Sequence, residues 1–249
     1  MDLKELRSTT INRHPWEKSR ARFFKNIIEK HIPRKNNVSK ILDIGSGDGH
    51  FARNLLASHQ DNFQIHCLDI NYTYDFIGQH SHEKIKYIRE HTNDEHDFII
   101  LMDVLEHIED DSAALSDIIN RNMKNDSCFL ITVPAWNFLY SKHDLKLGHI
   151  RRYSPSMGKK LISDAGLEII ESGGLFHSLV IPRYLMLLRE RIFGASEEVS
   201  DLGNWNHGYL FTSLMDFAFR VDNICSKIFS LLNLQVPGLT WWAVGRKKR

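Results

Sequence analysis

The sequence predicts a single α/β domain: a seven-stranded, mostly parallel sheet with helices on both faces, plus extra amphipathic helices in the C-terminal third. Three observations predict it. Short apolar runs of strand type alternate with stretches whose apolar residues recur at helical spacing. A glycine-rich loop joins the first of these runs to a helix. The chain has 249 residues, 42% hydrophobic and 25% charged, which is enough apolar material for one large core.

The elements follow in order. Trp16, Phe23, Phe24, Ile27, Ile28 and Ile32 lie at helical spacing, with Pro15 suited to the first turn and Pro33 with Asn36-Asn37 as a stop. Lys40–Ile44 is a strand running into glycines, His50–Ser58 a helix and Gln64–Ile70 a second strand. Ile85–Ile88 and Asp97–Met102 read as strands three and four, residues 110–123 as a helix, and Cys128–Val133 as strand five, stopped by Pro134. Lys159–Ala165 is a short helix, Leu167–Glu171 strand six and Leu239–Val244 the last strand, before the basic tail Arg246–Arg249. Helical stretches at about 182–193 and 207–232 lie between the last two strands. The expected organisation is one domain over 1–249, with a ligand-binding core at 14–175, a helical insertion at 176–238 and a closing strand with its tail at 239–249.

Composition excludes several classes. Lys plus Arg number 32 and Asp plus Glu 31, so the net charge of +1 implies no polyanionic partner. Three widely spaced cysteines, Cys67, Cys128 and Cys225, do not form a disulfide framework and fit a reducing cytoplasm. The N-terminus carries no signal-type apolar stretch, and no apolar run approaches the roughly 18 residues of a membrane span. The 14 histidines scatter without a tight metal-ligand pattern. A cytoplasmic protein is the expectation.

The chemistry begins at Asp43-Ile44-Gly45-Ser46-Gly47-Asp48-Gly49, between strand one and its helix. Glycines there let a ligand approach the main chain, and the strand-end carboxylate suits a ligand carrying an ammonium group. A dinucleotide loop places its third glycine three residues after the second; here it comes after two, which disfavours NAD. Strand two then brings Asp69 to where a doubly wound fold meets a ribose. Asp43 and Asp69 therefore fit the two ends of one nucleoside ligand.

These residues resemble a known superfamily. Ile41 to Gly49 looks like the first motif of class I S-adenosylmethionine (SAM)-dependent methyltransferases, and Met102 to Ile108 resembles their "DVLEH" segment after strand four. Asp126 to Pro134 resembles their fifth strand, with Lys124-Asn125-Asp126 in place of the usual Pro-Gly-Gly turn. The resemblance implies a Rossmann-like fold with SAM as cofactor. Gly45, Ser46, Gly47 and Gly49 would form its cradle, Asp43 would face the ammonium and Asp69 the ribose. Ile70 would lie at the adenine edge, with Met102 and Asp103 near the methionine portion. A narrower likeness, through His14-Pro15-Trp16, His143-Asp144 and Gly148 to Ser154, is to uncharacterised bacterial methyltransferases associated with glycan or lipid-linked sugar assembly.

Methyl transfer from a sulfonium asks the protein mainly to align the acceptor, remove its proton and exclude water. Candidate bases are His107, His143 and His149. Asp144, Arg151, Arg152 and Tyr153 form the densest polar cluster and are the candidate acceptor-binding residues, two arginines being suited to a carboxylate or phosphate. His14 and Trp16 could close over the pocket, although Trp16 lies on an apolar stripe and reads first as core. No metal is expected. The set that could hold one is Asp103, Glu106 and His107, since ubiquinone-pathway and small-RNA O-methyltransferases are similar there, with Glu where this chain has Asp103.

On the last long helix Leu210, Leu214, Phe217, Val221, Ile224, Ile228 and Leu231 make one apolar stripe. The plain reading is that this helix and its neighbour cover the sheet or each other; the sharper one is a dimer interface or peripheral membrane contact, which would suit a lipid-linked acceptor. The function expected is methyl transfer from SAM to a small-molecule, sugar or lipid-linked acceptor, through oxygen. Alternatives are a nucleic-acid methyltransferase, opposed by the neutral charge, and a SAM-binding regulatory or scaffold protein without catalysis.

Overall fold

The computed structural model describes residues 13–33, 38–57, 63–193, 205 and 207–248. Asn36, Asn37, Ser58 and Arg249, used above as boundaries, lie outside the described residues. The elements are α1 (Pro15–His31), β1 (Ser39–Ile44), α2 (His50–Leu56), β2 (Phe63–Leu68), α3 (Tyr74–His80), β3 (Ile85–Ile88), β4 (His96–Met102), α4 (Asp111–Asn122), β5 (Met123–Pro134), α5 (Lys142–Leu147), α6 (Pro155–Asp164), β6 (Leu167–Leu175), α7 (Val180–Phe193), α8 (Tyr209–Leu231) and β7 (Thr240–Lys247).

The seven strands lie in the order β3-β2-β1-β4-β5-β7-β6. All neighbours pair parallel except β7, which runs antiparallel to β5 on one side and β6 on the other. The order reverses between β1 and β4, and in open α/β sheets the crevice outside the strand ends at such a reversal receives the ligand.

Alternation along β7 explains how both faces are filled. Trp241 and Trp242 are fully buried on opposite faces of the sheet. Trp242 packs with Phe23 and Phe24 of α1, and Trp241 with the cluster that includes Leu115 of α4 and Ile162 of α6. Gly158 of α6 admits the Trp241 indole, because a Cβ there would lie inside the ring. The helix starts are capped as the sequence allows: His14 Nδ1 accepts from Trp16 N–H at 3.1 Å, Asp110 caps α4 and Ser154 with Pro155 opens α6.

Two differences from the sequence reading have physical causes. Helices α3 and α5 carry too short an apolar repeat to show: α3 buries no residue and α5 only Asp144. The α8 stripe, read first as sheet cover, faces outward, and the helix instead buries Phe219, Asp222, Asn223, Ser226 and Ser230. Inward hydrogen bonds fix this rotation. Asn223 Nδ2 donates to Ser19 Oγ at 2.9 Å, and Ser230 Oγ donates to Glu171 Oε1 at 3.1 Å. Among the described residues no helix is long and apolar enough to cross a membrane.

Candidate active site

The loop after β1 folds around three left-handed glycines, with φ of +67° at Gly45, +55° at Gly47 and +70° at Gly49. Its shape is held from β2. Gly45 N–H donates to Leu68 O at 2.8 Å, Gly47 N–H to Asp69 Oδ2 at 3.0 Å, and Ser46 Oγ pairs with Tyr72 Oη at 2.8 Å. Asp69 Oδ1 accepts Asn71 N–H at 2.9 Å, so both its oxygens already order the loop while their remaining lone pairs stay available. Asp43 is 2% exposed and its Oδ2 has no hydrogen-bond partner. Burial pushes its carboxyl up to about 7. A buried carboxylate oxygen without a donor, at the start of a glycine-rich loop, fits a ligand that brings an ammonium group. Ile70 is exposed, two residues before Tyr72, whose ring stacks on Phe76.

Across the switch point, β4 ends in Met102, and Asp103 adopts φ +57°. Arg20 of α1 meets Asp103 Oδ2 at 2.5 Å and donates to Thr132 Oγ1 at 2.9 Å; Thr132 in turn donates to Asp103 Oδ1 at 3.1 Å. Sequence reasoning missed Arg20. Its signal was there: Arg20 follows Trp16 by four and precedes Phe23 by three, so it is a charge on the apolar stripe of α1. Arg13 was also missed; it bridges Asp48 of the loop and Glu17.

Behind Asp103 a second polar cluster unites residues of β4's exit with those after β5. Glu106 is fully buried, both carboxylate oxygens lack a hydrogen-bond partner, and burial, then the Asp103 charge, drives its carboxyl well above the ordinary range. His149 Nε2 lies 4.0 Å from Glu106 Oε1, and its ring stands edge-on to His107 at 4.9 Å. His149 Nδ1 is 3.0 Å from Asp144 Oδ1, which also accepts Arg152 Nε at 2.8 Å. Asp144 Oδ2 accepts Ser141 N–H at 3.0 Å, closing the capping box of α5. Burial alone would raise the Asp144 carboxyl, but the bonds from His149 and Arg152 hold it far below the usual range. His107 lies in a 3-10 turn over Leu105–His107, with Nδ1 3.2 Å from Gly148 O. One carboxylate oxygen of Glu106 and one ring nitrogen from each of His107 and His149 fall within 4.8 Å of one another.

The remaining candidates separate into different surroundings. Arg151 pairs with Asp111 at 2.8 Å and donates to Glu109 O, while Tyr153 Oη donates to the same Asp111 carboxylate at 2.6 Å. Arg152 is held by Asp144 and Ala135 O. Both guanidinium groups are thus paired inside the protein. His143 sits in the first turn of α5, its ring pushed down by burial and by the charge of Arg183. His14 packs edge-on to Trp205 at 4.2 Å, and Trp16 packs against the core at Phe176. A surface concavity lined by Lys159, Glu168, Ser172 and Asn233 lies along β6 and includes none of the glycine-loop residues.

This combination of a reversed parallel sheet, glycine cradle and acidic strand ends defines a nucleoside-ligand fold, and comparison with known proteins gives its class. Residues 14–172 match the family model of the methyltransferase domain. A ubiquinone biosynthesis O-methyltransferase of Rickettsia canadensis is 26% identical over 173 residues, covering 61% of this chain and 73% of that protein. Among solved structures, a SAM-dependent methyltransferase from Archaeoglobus fulgidus superposes with a TM-score of 0.51 at 17% identity, over 93% of this chain and 97% of that one. A Haemonchus contortus phosphoethanolamine N-methyltransferase in complex with SAM superposes with a TM-score of 0.52 at 16% identity, over 91% and 52%. The chain belongs to the methyltransferase-domain family and is a class I SAM-dependent methyltransferase.

Proposed function

We propose that this enzyme methylates an oxygen of a small-molecule, sugar or lipid-linked acceptor, with His149 as the base that takes the proton where that oxygen is a hydroxyl; a carboxylate acceptor has none to give. The carrying observation is the Asp144–His149 pair: with Nδ1–H directed at the buried Asp144 carboxylate, the Nε2 lone pair faces the space between Glu106 and His107. When bound, SAM supplies a methyl group already activated on its sulfonium. Asp43 would hold its ammonium and Asp69 its ribose, beside the loop of Gly45, Ser46, Gly47 and Gly49, with Ile70, Met102 and Asp103 as the further residues that would contact it. The Arg20–Asp103–Thr132 set fixes the β4 exit. Arg151, Arg152 and Tyr153 act as positioning residues: they hold the segment that carries His149, and Asp144 orients its ring. The Rickettsia relative is by name an O-methyltransferase, which supports an oxygen acceptor. A cytoplasmic enzyme peripheral at a membrane fits a lipid-linked one.

The unpartnered oxygens of Glu106 favour a second reading, in which Glu106, His107 and His149 hold a divalent cation that lowers the pKa of an acceptor oxygen. His149 Nε2 cannot be both ligand and base, so one assay separates the readings. Purified protein with labelled SAM is offered sugar, lipid-linked and quinone-like acceptors, with and without chelator. Under the first reading His149→Ala lowers turnover by about 10²–10⁴-fold, leaves S-adenosylhomocysteine affinity unchanged, and chelator has no effect. Loss of activity with chelator, restored by Mn²⁺, selects the metal. Cofactor binding without turnover on any acceptor, including RNA and DNA, and without effect of His149→Ala, selects the regulatory alternative.

A further inference from the structure

Helix α8 is amphipathic in the inverse sense: its polar side faces the core and its apolar side faces out. Leu210 is 84% exposed, Leu214 62%, Phe217 65%, Ile224 58% and Leu231 73%. These residues line one side of a 23-residue helix, about 35 Å long at 1.5 Å per residue. The helix cannot roll to bury them. Asn223 is bonded to Ser19, Ser230 to Glu171 and Ser172, and Asp222 to Ser178 N–H, all on the opposite side. A contiguous apolar face of this size on a helix locked in place marks an interaction surface.

Charge says what covers it. On α7 and α8 the exposed charged residues are Arg189, Arg191, Arg220 and Lys227, all basic. The acids of the same helices are withdrawn: Glu190 and Asp216 are half-buried and Asp222 is buried. This contrasts with a chain whose basic and acidic residues number 32 and 31. By helical geometry Arg220 and Lys227 lie along one edge of the apolar stripe, where their stems can cover apolar surface while the charges reach outward. Two copies meeting through this surface would bring like charges together with no exposed acid on either helix to answer them. An anionic lipid surface answers both features at once, taking the apolar stripe into the acyl boundary and the cations among its headgroups. α7 repeats the composition, with Leu185, Met186, Ile192 and Phe193 exposed beside two of its three arginines, Arg189 and Arg191.

We infer that α8 docks this protein, lying in the plane of the interface, on an anionic phospholipid bilayer. The inference needs neither the acceptor nor the base proposed above. It is tested by flotation of the full chain with vesicles of phosphatidylcholine alone or with about one-third phosphatidylglycerol, beside sedimentation for oligomeric state. The wild-type chain is expected to float with anionic vesicles and to stay behind with neutral ones. Leu214→Glu with Ile224→Glu should abolish flotation, and Arg220→Glu with Lys227→Glu should weaken it about 10-fold or more. Because these side chains face outward, unchanged melting and S-adenosylhomocysteine affinity will show that the variants are folded. Absence of flotation by the wild type, or equal flotation by all variants, overturns the inference. So does a concentration-dependent dimer that Leu214→Glu with Ile224→Glu disperses, which would make a second copy the occupant.

Discussion

The Asp43 carboxyl makes cofactor affinity a function of pH in a way that can be worked out beforehand. Without ligand its pKa is about 7, because the group is buried and Oδ2 has no donor. An ammonium binding beside it requires the ionised form. One pH unit below 7 leaves about a tenth of the population ionised and two units about a hundredth, so affinity should fall by roughly tenfold per unit on the acid side. The amino group of the cofactor titrates as well, at higher pH, and its loss of charge lowers affinity on the alkaline side. The expected profile rises to about pH 7 and then levels off, turning down only on the alkaline side. Asp43→Asn should remove the acid limb and, with a charge-assisted hydrogen bond of about 1.5–3 kcal/mol lost, weaken binding at the optimum by roughly 10- to 100-fold. Isothermal titration with S-adenosylhomocysteine from pH 5.5 to 8.5, in two buffers of different ionisation enthalpy, also counts the proton released below pH 7. A wild-type affinity that is flat on the acid side, or an Asp43→Asn variant that keeps the acid limb, would refute the assignment of Asp43 to the ammonium.

Two further predictions concern the scaffold. Gly49 has φ +70° and an added Cβ would run into the Tyr87 ring, so Gly49→Ala should cost about 1–3 kcal/mol and several degrees of Tm; an unchanged melting curve would mean the loop can reshape freely. At the opposite end of the sheet His96 Nε2 lies 3.0 Å from His66 Nδ1; burial, then the charge of His66, lowers His96 to about 4, and His66 is lowered by burial as well. A histidine whose pKa is depressed on folding stabilises above its unfolded value of about 6.5 and loses that contribution as pH falls towards the folded one. Between pH 6.5 and 5 the fully buried His96 should therefore cost about 2 kcal/mol in urea unfolding. His96→Gln should flatten that slope, and an unaltered slope would place the acid lability elsewhere.

Legibility followed the range of the interactions. The glycine loop, Asp43 and Asp69 could be read because a strand, a tight turn and a helix start are set by neighbours in sequence. All seven strands were legible for the same reason: alternation and apolar runs are local. The second half of the site was not, because its geometry depends on contacts far apart in the chain. Glu106 meets His149 across 43 positions and Arg20 meets Thr132 across 112, and neither spacing leaves a periodic trace. Arg151 and Arg152 show the same limit. In sequence they are adjacent and look like one clamp, yet they point into different pairs, with Asp111 and with Asp144. The rotation of α8 was hidden for another reason. Its two faces were plain in the sequence, but which one meets the sheet is decided by Ser19 and Glu171, outside the helix.

The position of β7 has a consequence for how the chain is made. This strand, Thr240–Lys247, is the seam between β5 and β6, bonded along both edges. When a ribosome has released residues as far as α8, β6 has no place to dock, because the gap beside β5 is still open. The parallel part of the sheet and the glycine loop can form while translation continues, but the Trp241 and Trp242 indoles, which plug the two layers, arrive afterwards. Such a chain should hold a loose, half-closed intermediate for the time needed to translate those residues, with an unpaired β5 edge open to chaperones and to misassociation.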